Sequence, residues 1–360
     1  MQASPRSSWL FVGGYGPAIE TFRFDPQTGL SPAGMTQGVP ESPTFLALDA
    51  PRRLLFAISE AAGADAPRPG RATSFRIEPS GALSRLNDVW SGGGNTVSVA
   101  VSRSGRHLLT ASSSTAEGRV AVIPIGEDGR LAEPSDSQIA GRNAHGQAQS
   151  VDGCFVYVAC RGDEHVAQYA FDAGAGKLRA LAVPSVAVPR PSGPRRIVVH
   201  PTLPVAYLIL DWSGEVVTYQ IGGDGQLHAA VTTSIFPAGK APRAQAGVMT
   251  AADLEVSADG KTLYASTRTP DCQSIAVLRI DARGGLTLLA NEHADGLIHG
   301  PRHFVLSPDN RFLFVANQDS DTLLAMTVQP ETGRLALLGR PVPTRVSKPN
   351  ALAFGALSPT

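Results

Sequence analysis

The sequence has few charged residues and no excess of either sign. Charged residues make up 17% of the 360, and 31 Lys and Arg are balanced by 31 Asp and Glu. A chain without net charge has no long-range field that would hold a nucleic-acid backbone or an anionic membrane surface. We therefore expect neither a nucleic-acid nor a membrane partner, and any basic site must be local.

Long apolar runs and cysteines are also scarce. No window approaches 18 uninterrupted apolar residues, and the opening MQASPRSSWLFVGGYG contains no run of signal-peptide length. The three cysteines are an odd number, and Cys154 and Cys160 fall on one face of a predicted strand. We expect reduced, buried thiols and a cytoplasmic protein.

Glycine and proline are abundant instead. The 37 glycines and 28 prolines are typical of a turn-rich β protein, and 42% hydrophobic residues can fill a large core. A hairpin phrase ending in Gly-x-Leu or Gly-Leu recurs seven times, at intervals of 47 to 59 residues. The leucines of these phrases are Leu30, Leu83, Leu131, Leu178, Leu227, Leu286 and Leu335.

A second hairpin lies between successive leucine phrases, as in SRSGRHLLTAS, SVDGCFVYVAC and SPDNRFLFVAN. Two hairpins per repeat give four antiparallel strands, which predicts one all-β domain over residues 1–360, a seven-bladed β-propeller. SSWLFVGG at the start and KPNALAFGA at the end lack partners of their own, and we expect them to complete one blade. Residues 61–71 and 237–250 are expected to be loops.

Aligning the repeats predicts which side chains meet at one face of the disc. The position that begins the first strand of the inner hairpin holds Thr44, Val97, His145, Arg195, Ala252 and Arg302. The residue that follows the second strand is Glu60, Ser113, Arg161, Asp211, Arg268 or Gln318. Because antiparallel neighbours begin and end at the same edge, both sets should converge on the central opening.

The most tightly grouped of these side chains should be His145, Arg195, Asp211 and Arg268, which come from adjacent blades. A guanidinium matches carboxylate or phosphate oxygens and stays charged at any working pH. Histidine can take and return a proton near neutrality. This combination predicts a site for a small anionic molecule.

The chain resembles the lactonase family of seven-bladed propellers, which includes bacterial 6-phosphogluconolactonase and the fungal carboxymuconate lactonising enzyme. The resemblance covers nearly the whole chain. It rests on the order and spacing of phrases such as FRFDPQTGL, SGPRRIVVHP, AADLEVSADGKTLYAST, SPDNRFLFVANQDSDT and QPETGRLALLG.

The family's site residues map onto this sequence with three departures. The His-Ala-His segment becomes Asn143-Ala144-His145, and Gly-Pro-Arg-His becomes Gly193-Pro194-Arg195-Arg196. The Asn-Glu pair becomes Leu210-Asp211, while Arg268 matches a family arginine and Asp253 an acidic residue. The resemblance thus implies a catalytic group of His145, Arg195, Asp211 and Arg268.

Together these features predict a metal-independent lactonase without a cofactor, acting as a monomer or weak homo-oligomer. His145 or Asp211 would activate water, and the arginines would bind the substrate's anion and the oxyanion. The residues expected to contact the substrate are Glu60, Asn143, Arg196, Asp253, Arg302 and Gln318.

Three other functions fit parts of the sequence. The same group run in reverse would make a lactonising cyclase, and a propeller can bind without catalysis. A calcium-dependent sugar lactonase would need oxygen ligands such as Glu60, Asn95, Asn143 and Asp211, but nearby arginines disfavour a cation. The remaining histidines, His303 among them, lack metal-ligand spacing, and we expect structural roles for them.

Overall fold

Seven four-stranded antiparallel sheets make up the described part of the chain, and each sheet is one blade of a propeller. The structure is a computed structural model that describes residues 7–39, 41–60 and 70–357. Within these ranges the helical content is a single 3-10 turn at Ala294–Gly296. The prediction of an all-β propeller with seven blades is confirmed.

The blades follow one another along the chain. The first seven strands are β1 Ser7–Tyr15, β2 Ala18–Asp25, β3 Gly29–Gln37, β4 Pro43–Asp49, β5 Leu54–Ser59, β6 Arg71–Ile77 and β7 Leu83–Trp90. The next eight are β8 Asn95–Val101, β9 His107–Ser113, β10 Arg119–Pro124, β11 Asp136–Ile139, β12 Ala144–Gln149, β13 Phe155–Cys160, β14 His165–Asp172 and β15 Lys177–Ala187. These are followed by β16 Pro194–Val199, β17 Val205–Leu210, β18 Glu215–Ile221, β19 Leu227–Ser234, β20 Ala251–Val256, β21 Thr262–Thr269, β22 Cys272–Ile280 and β23 Leu286–Glu292. The last five are β24 Pro301–Leu306, β25 Phe312–Asn317, β26 Thr322–Val328, β27 Leu335–Pro343 and β28 Ser347–Leu357.

The last strand closes the ring by pairing with the first. One blade has the strand order β28, β1, β2, β3, so β28 is its innermost strand. Pairing is antiparallel and continuous from Ser7 opposite Leu357 to Gly13 opposite Ala351. The predicted sharing of one blade by the two ends of the chain is confirmed.

A repeated serine-aspartate turn joins the two inner strands of several blades. In the turn between β20 and β21, Ser257 Oγ donates to Asp259 Oδ1 at 2.6 Å and accepts from the backbone N–H of Thr262 at 3.0 Å. Gly260 follows with a φ of 72°, a conformation that favours glycine. Equivalent turns at Ser150 and Ser307 account for the recurring hairpin phrase.

Neighbouring blades are held together by apolar layers and by a repeated tyrosine contact. Seven clusters of buried aliphatic and aromatic side chains fill the described interior. The hydroxyls of Tyr157, Tyr207 and Tyr264 each donate to a glycine carbonyl in the outer hairpin turn of the next blade. The glycine-leucine phrase therefore also anchors the neighbouring blade, because its turn presents a free carbonyl.

The loops and cysteines agree only partly with expectation. Residues 237–250 form a loop between β19 and β20, as predicted, whereas residues 61–69 of the other expected loop lie outside the described ranges. All three cysteines are free, but Cys154 is exposed. The prediction that it is buried is wrong, because it belongs to the turn before β13 rather than to the strand. No helix in the described ranges has the length and apolarity to cross a lipid bilayer.

Deleting residues 7–14 should destabilise the whole disc. The deletion removes most of β1, and the buried side chains lost with it are Trp9, Leu10, Phe11 and Val12. Each fully buried apolar side chain is worth roughly 1.5–3 kcal/mol, so the loss is comparable to a typical net stability of roughly 5–15 kcal/mol. Thermal unfolding should lose its single cooperative transition. The exposed substitution Ser31→Ala should not change it, and an unchanged transition in the deletion would contradict the closure of the ring.

Candidate active site

The innermost strand of every blade is irregular near its first residues. Where β16 pairs with β17, Pro194 lies opposite Leu210 and Arg196 opposite Ile209, which leaves Arg195 as an extra residue. Such bulges bend a strand and redirect its side chains. The equivalent irregularities contain Thr44, Val97, His145, Ala252 with Asp253, Arg302 and, in β28, Asn350.

Consecutive residues of these bulges line a cleft on the propeller axis, which we call the axial cleft. The free volume between its side chains is about 20 Å³, room for about one ordered water molecule. The lining residues are Thr44, Phe45, Glu60, Val97, Ser98, His145, Gly146, Arg195, Arg196, Ala252, Asp253, Arg302, His303 and Asn350. Of the residues that alignment of the repeats placed at the central opening, Thr44, Glu60, Val97, His145, Arg195, Ala252 and Arg302 line this cleft.

Asp211 lies beside the axial cleft at the point where three arginines meet. Its carboxylate accepts a hydrogen bond from Arg161 Nη1 at 3.3 Å and another from Arg268 Nη2 at 3.3 Å. Arg195 Nη1 is 4.0 Å from the same carboxylate. The side chain has no exposed surface, so Asp211 holds the arginines in place and cannot itself contact a ligand.

Arg195 is fixed on two sides. Its Nε donates to the carbonyl of Ala252 at 2.9 Å, and its Nη1 donates to His145 Nε2 at 3.3 Å. Burial and the neighbouring charge of Arg302 lower the pKa of Arg195, whereas Asp211 raises it. A guanidinium nevertheless stays charged at working pH. A bound anion would therefore relieve the repulsion between these cations.

His145 is neutral in this environment. Its Nε2 accepts the hydrogen bond from Arg195, so the ring proton resides on Nδ1. Burial, followed by the charges of Arg195 and Arg161, holds the pKa of His145 well below its usual range. The imidazole would have to gain a positive charge among arginines in order to act as a base.

A second polar layer lies directly below the first. Arg196 Nε forms an ion pair with Asp253 Oδ1 at 2.6 Å, and its guanidinium carbon lies 4.8 Å from the centre of the Phe45 ring. His303 Nε2 is 3.6 Å from the Asp253 carboxylate, and its Nδ1 accepts from the backbone N–H of Leu352. Burial lowers the pKa of His303 to about 4, so this ring is also neutral at pH 7.

The carboxylates of β20 also complete the hydrogen bonding of the next blade. Asp253 accepts from the backbone N–H of Phe304 at 3.4 Å, and Glu255 accepts from that of Leu306 at 3.0 Å. Both donors belong to β24, whose inner edge has no further strand beside it. Burial raises the pKa of Glu255 to about 8, so this carboxyl group is mostly protonated at neutral pH.

Glu60 also lines the axial cleft, and Tyr15 lies beside it. The Tyr15 hydroxyl donates to Glu60 Oε2 at 3.4 Å, and burial raises the pKa of Tyr15, which keeps it a donor. Within the described ranges the Glu60 carboxylate forms no ion pair. The Arg302 guanidinium likewise has neither an ion-pair nor a hydrogen-bond partner there. These two groups are available to a ligand.

Two expected contact residues lie away from the axial cleft. The Asn143 side chain accepts from Ser113 Oγ at 3.4 Å, and the backbone N–H of Gln318 donates to the carbonyl of Gly300. Neither residue lines the cleft. Arg161 and Arg268 reach it only through Asp211.

Sequence alignment missed His303, Phe45 and Tyr15. The signal for His303 was present, because Gly300-Pro301-Arg302-His303 repeats Gly193-Pro194-Arg195-Arg196 with a histidine in the last position. The bulge places this last residue in the axial cleft as well. The alternation of strand residues in the sequence does not predict where a bulge occurs. The expectation of a purely structural His303 therefore left out a cleft residue.

Comparison with known proteins agrees with this architecture. The model of the lactonase family, described as seven-bladed β-propellers, matches residues 9–354. The chain belongs to this lactonase family. Among curated relatives, the 6-phosphogluconolactonase of Bacillus subtilis (strain 168) is 28% identical over 320 residues, which are 86% of this chain and 85% of the relative. The 6-phosphogluconolactonase of Formosa agariphila is 25% identical over 348 residues, 91% and 95% of the two chains.

Solved structures show the same likeness. The periplasmic gluconolactonase of Pseudomonas aeruginosa superposes on this lactonase with a TM-score of 0.84 and 29% identity, over 98% of this chain and all of that one. A Bacteroides fragilis structure at 23% identity and a TM-score of 0.82 covers 99% of both chains and shares the fold. The chain is thus an enzyme of the lactonase type.

Replacing Glu255 by Gln should stabilise the lactonase increasingly as the pH rises. The pKa of Glu255 is about 8 in the folded state against 4.5 ordinarily, so wild-type stability falls as pH rises between these values. Gln keeps the amide acceptor for Leu306 but does not titrate. Its advantage in unfolding free energy should grow from pH 5 to pH 9 by up to about 4 kcal/mol.

Chemical denaturation at several pH values measures this difference. Glu127→Gln, at an exposed turn residue, is the matched control and should show no such trend. A constant difference between wild type and Glu255→Gln over this range would contradict the prediction.

Proposed function

We propose that this lactonase hydrolyses a small lactone that carries a negative charge, of the sugar-acid or sugar-phosphate type named for its relatives. The observation that carries the proposal is an excess of positive charge at the axial cleft. Three guanidiniums and two carboxylates line the cleft, two further guanidiniums and one carboxylate lie beside it, and the histidines are neutral. The guanidiniums belong to Arg161, Arg195, Arg196, Arg268 and Arg302, and the carboxylates to Glu60, Asp211 and Asp253.

Different arginines bind the substrate and stabilise the transition state. Arg302, which has no ionic partner among the described residues, binds the anionic group of the substrate. Arg195 is rigidly held and presents its remaining N–H groups to the lactone carbonyl, where they stabilise the oxyanion of the tetrahedral intermediate. Arg161 and Arg268 support this arrangement through Asp211.

We propose a metal-independent reaction in the cytoplasm. Within the described ranges, no group of three or more His, Cys, Asp or Glu side chains is arranged to hold a metal ion. The three free cysteines suit a reducing compartment. Cell fractionation would test the location, and chelator treatment is part of the assay below.

A lactonising cyclase of the carboxymuconate type is the second candidate. The excess of two positive charges would also suit a substrate with several carboxylates, one of which adds across a double bond to close the lactone ring while a proton adds to the other carbon. Binding without turnover is the remaining alternative. The direction of reaction and the presence of turnover distinguish the three.

The direct test is a panel of sugar-phosphate, sugar-acid and carboxylated lactones assayed by proton release. We expect hydrolysis of at least one anionic lactone, with the neutral analogue lacking the anion turned over far less efficiently, and no loss of activity after EDTA. Binding without proton release across the panel would favour the non-catalytic propeller. Activity that EDTA abolishes would overturn metal independence.

Lysine substitutions should separate the roles of Arg195 and Arg302. Arg195→Lys keeps the positive charge but loses the planar guanidinium with its several N–H donors. Loss of an oxyanion donor typically lowers kcat by roughly 10² to 10³. Arg302→Lys should mainly raise KM, because it weakens binding of the anion in the ground state. The control is Arg179→Lys on the exposed outer strand β15. Wild-type kinetics in both cleft variants would contradict these assignments.

A further inference from the structure

Hydrolysis of a lactone requires a group that takes a proton from the attacking water. Two of the three carboxylates in or beside the axial cleft are already held in ion pairs with arginines. Asp211 has no exposed surface and is bonded to Arg161 and Arg268. Asp253 is 2% exposed and is paired with Arg196. Protonation of either would break a buried ion pair, so neither suits the role of a base.

His145 is also poorly placed to accept that proton. The lone pair on Nε2 already accepts the hydrogen bond from Arg195. The Nδ1 atom carries the ring proton and has no partner among the described residues. Four arginines oppose the imidazolium form that a general base must adopt. The ring is therefore suited to donate a hydrogen bond from Nδ1 while staying neutral.

Glu60 meets the requirements that the other groups fail. It is half-buried, it lines the axial cleft, and the one hydrogen bond that its carboxylate accepts from the described residues comes from the Tyr15 hydroxyl at a long 3.4 Å. It follows β5 in the blade of β4 to β7, whereas Arg195 is the second residue of β16, three blades further around the ring of seven. A base and an oxyanion donor on different walls can act on one carbonyl group, the base on the attacking water and the donor on the carbonyl oxygen.

We propose that Glu60 is the general base of this site and that His145 is a neutral hydrogen-bond donor to the substrate through Nδ1. This assignment rests on the proposed lactonase reaction. Glu60 takes one proton from water as the water oxygen bonds to the carbonyl carbon, and the carbonyl electron pair moves to the oxygen facing Arg195. When the intermediate collapses, the ring C–O bond breaks and Glu60 returns its proton to the leaving alkoxide. The product is the hydroxy acid, whose carboxyl group then releases a proton to solution.

Variants of Glu60 test the first half of the proposal. On the substrate found by the lactone panel, Glu60→Gln should lower kcat by roughly 10² to 10⁴ and leave KM almost unchanged. Added formate should partly restore turnover to Glu60→Ala, because a small carboxylate can occupy the vacated position. Glu117→Gln, at an exposed carboxylate on the same face of the disc, is the matched control and should behave as wild type.

Two amide replacements of His145 test the second half. The amide nitrogen of Asn can mimic Nδ1–H, whereas that of Gln reaches the position of Nε2 and neither can accept a proton. His145→Asn should therefore keep clearly more activity than His145→Gln. Equal and severe losses in both would identify His145 as a proton acceptor. A Glu60→Gln enzyme with wild-type kcat, or with a defect confined to KM, would likewise overturn the proposal.

One measurement does not depend on turnover. Nitrogen-15 NMR of imidazole-labelled protein, with His145 assigned by its Asn variant, should show the neutral Nδ1–H tautomer from pH 5.5 to 8 (roughly the range in which an ordinary histidine titrates). Protonation within this range, or the Nε2–H tautomer, would overturn the role of His145. Wild-type protein that hydrolyses no lactone would refute the proposed function, whereas an active wild type with an active Glu60→Gln would refute only this inference.

Discussion

The pairing of β28 with β1 is the constraint on which the rest of the structure depends. A row of blades has two exposed ends, and this pairing joins them into a ring by placing strands from both ends of the chain in one sheet. Ring closure brings seven innermost strands around one axis. Their bulges then direct side chains that are far apart in sequence, such as His145 and Arg302, into a single cleft.

Closure also leaves backbone N–H groups on the inner edge of each blade without a neighbouring strand, and residues of the axial cleft accept some of their hydrogen bonds. Each innermost strand has a strand on one side only, so the backbone N–H groups on its inner edge need other acceptors. Asp253 and Glu255 accept from β24, and His303 accepts from β28. The polar lining of the axial cleft is therefore part of the hydrogen bonding that holds adjacent blades together, which explains why it includes more titratable groups than catalysis requires.

The repeat pattern in the sequence was sufficient to predict the number of blades, the shared blade and many of the residues that line the axial cleft. It succeeded because hairpin turns and strand alternation are local and recur in every repeat, as in the turns at Ser150, Ser257 and Ser307. It did not indicate the bulges, because an extra residue such as Arg195 looks like any other strand residue. It therefore missed His303 and Phe45 of the second layer, and could not show that Asp211 is enclosed by arginines rather than open to a ligand.

Ion pairs in the wall of the axial cleft determine how the departures from the family pattern affect the charge offered to a ligand. Arg196 stands where the family pattern has histidine, and its charge is matched at 2.6 Å by Asp253 and covered by the ring of Phe45. Asp211, shorter than the family's glutamate, is still long enough to bond Arg161 and Arg268. The added cation is thus neutralised within the wall of the axial cleft. The charge offered to a ligand comes from Arg195 and Arg302, so these departures alter the shape of the wall more than the sign of the molecule that it would admit.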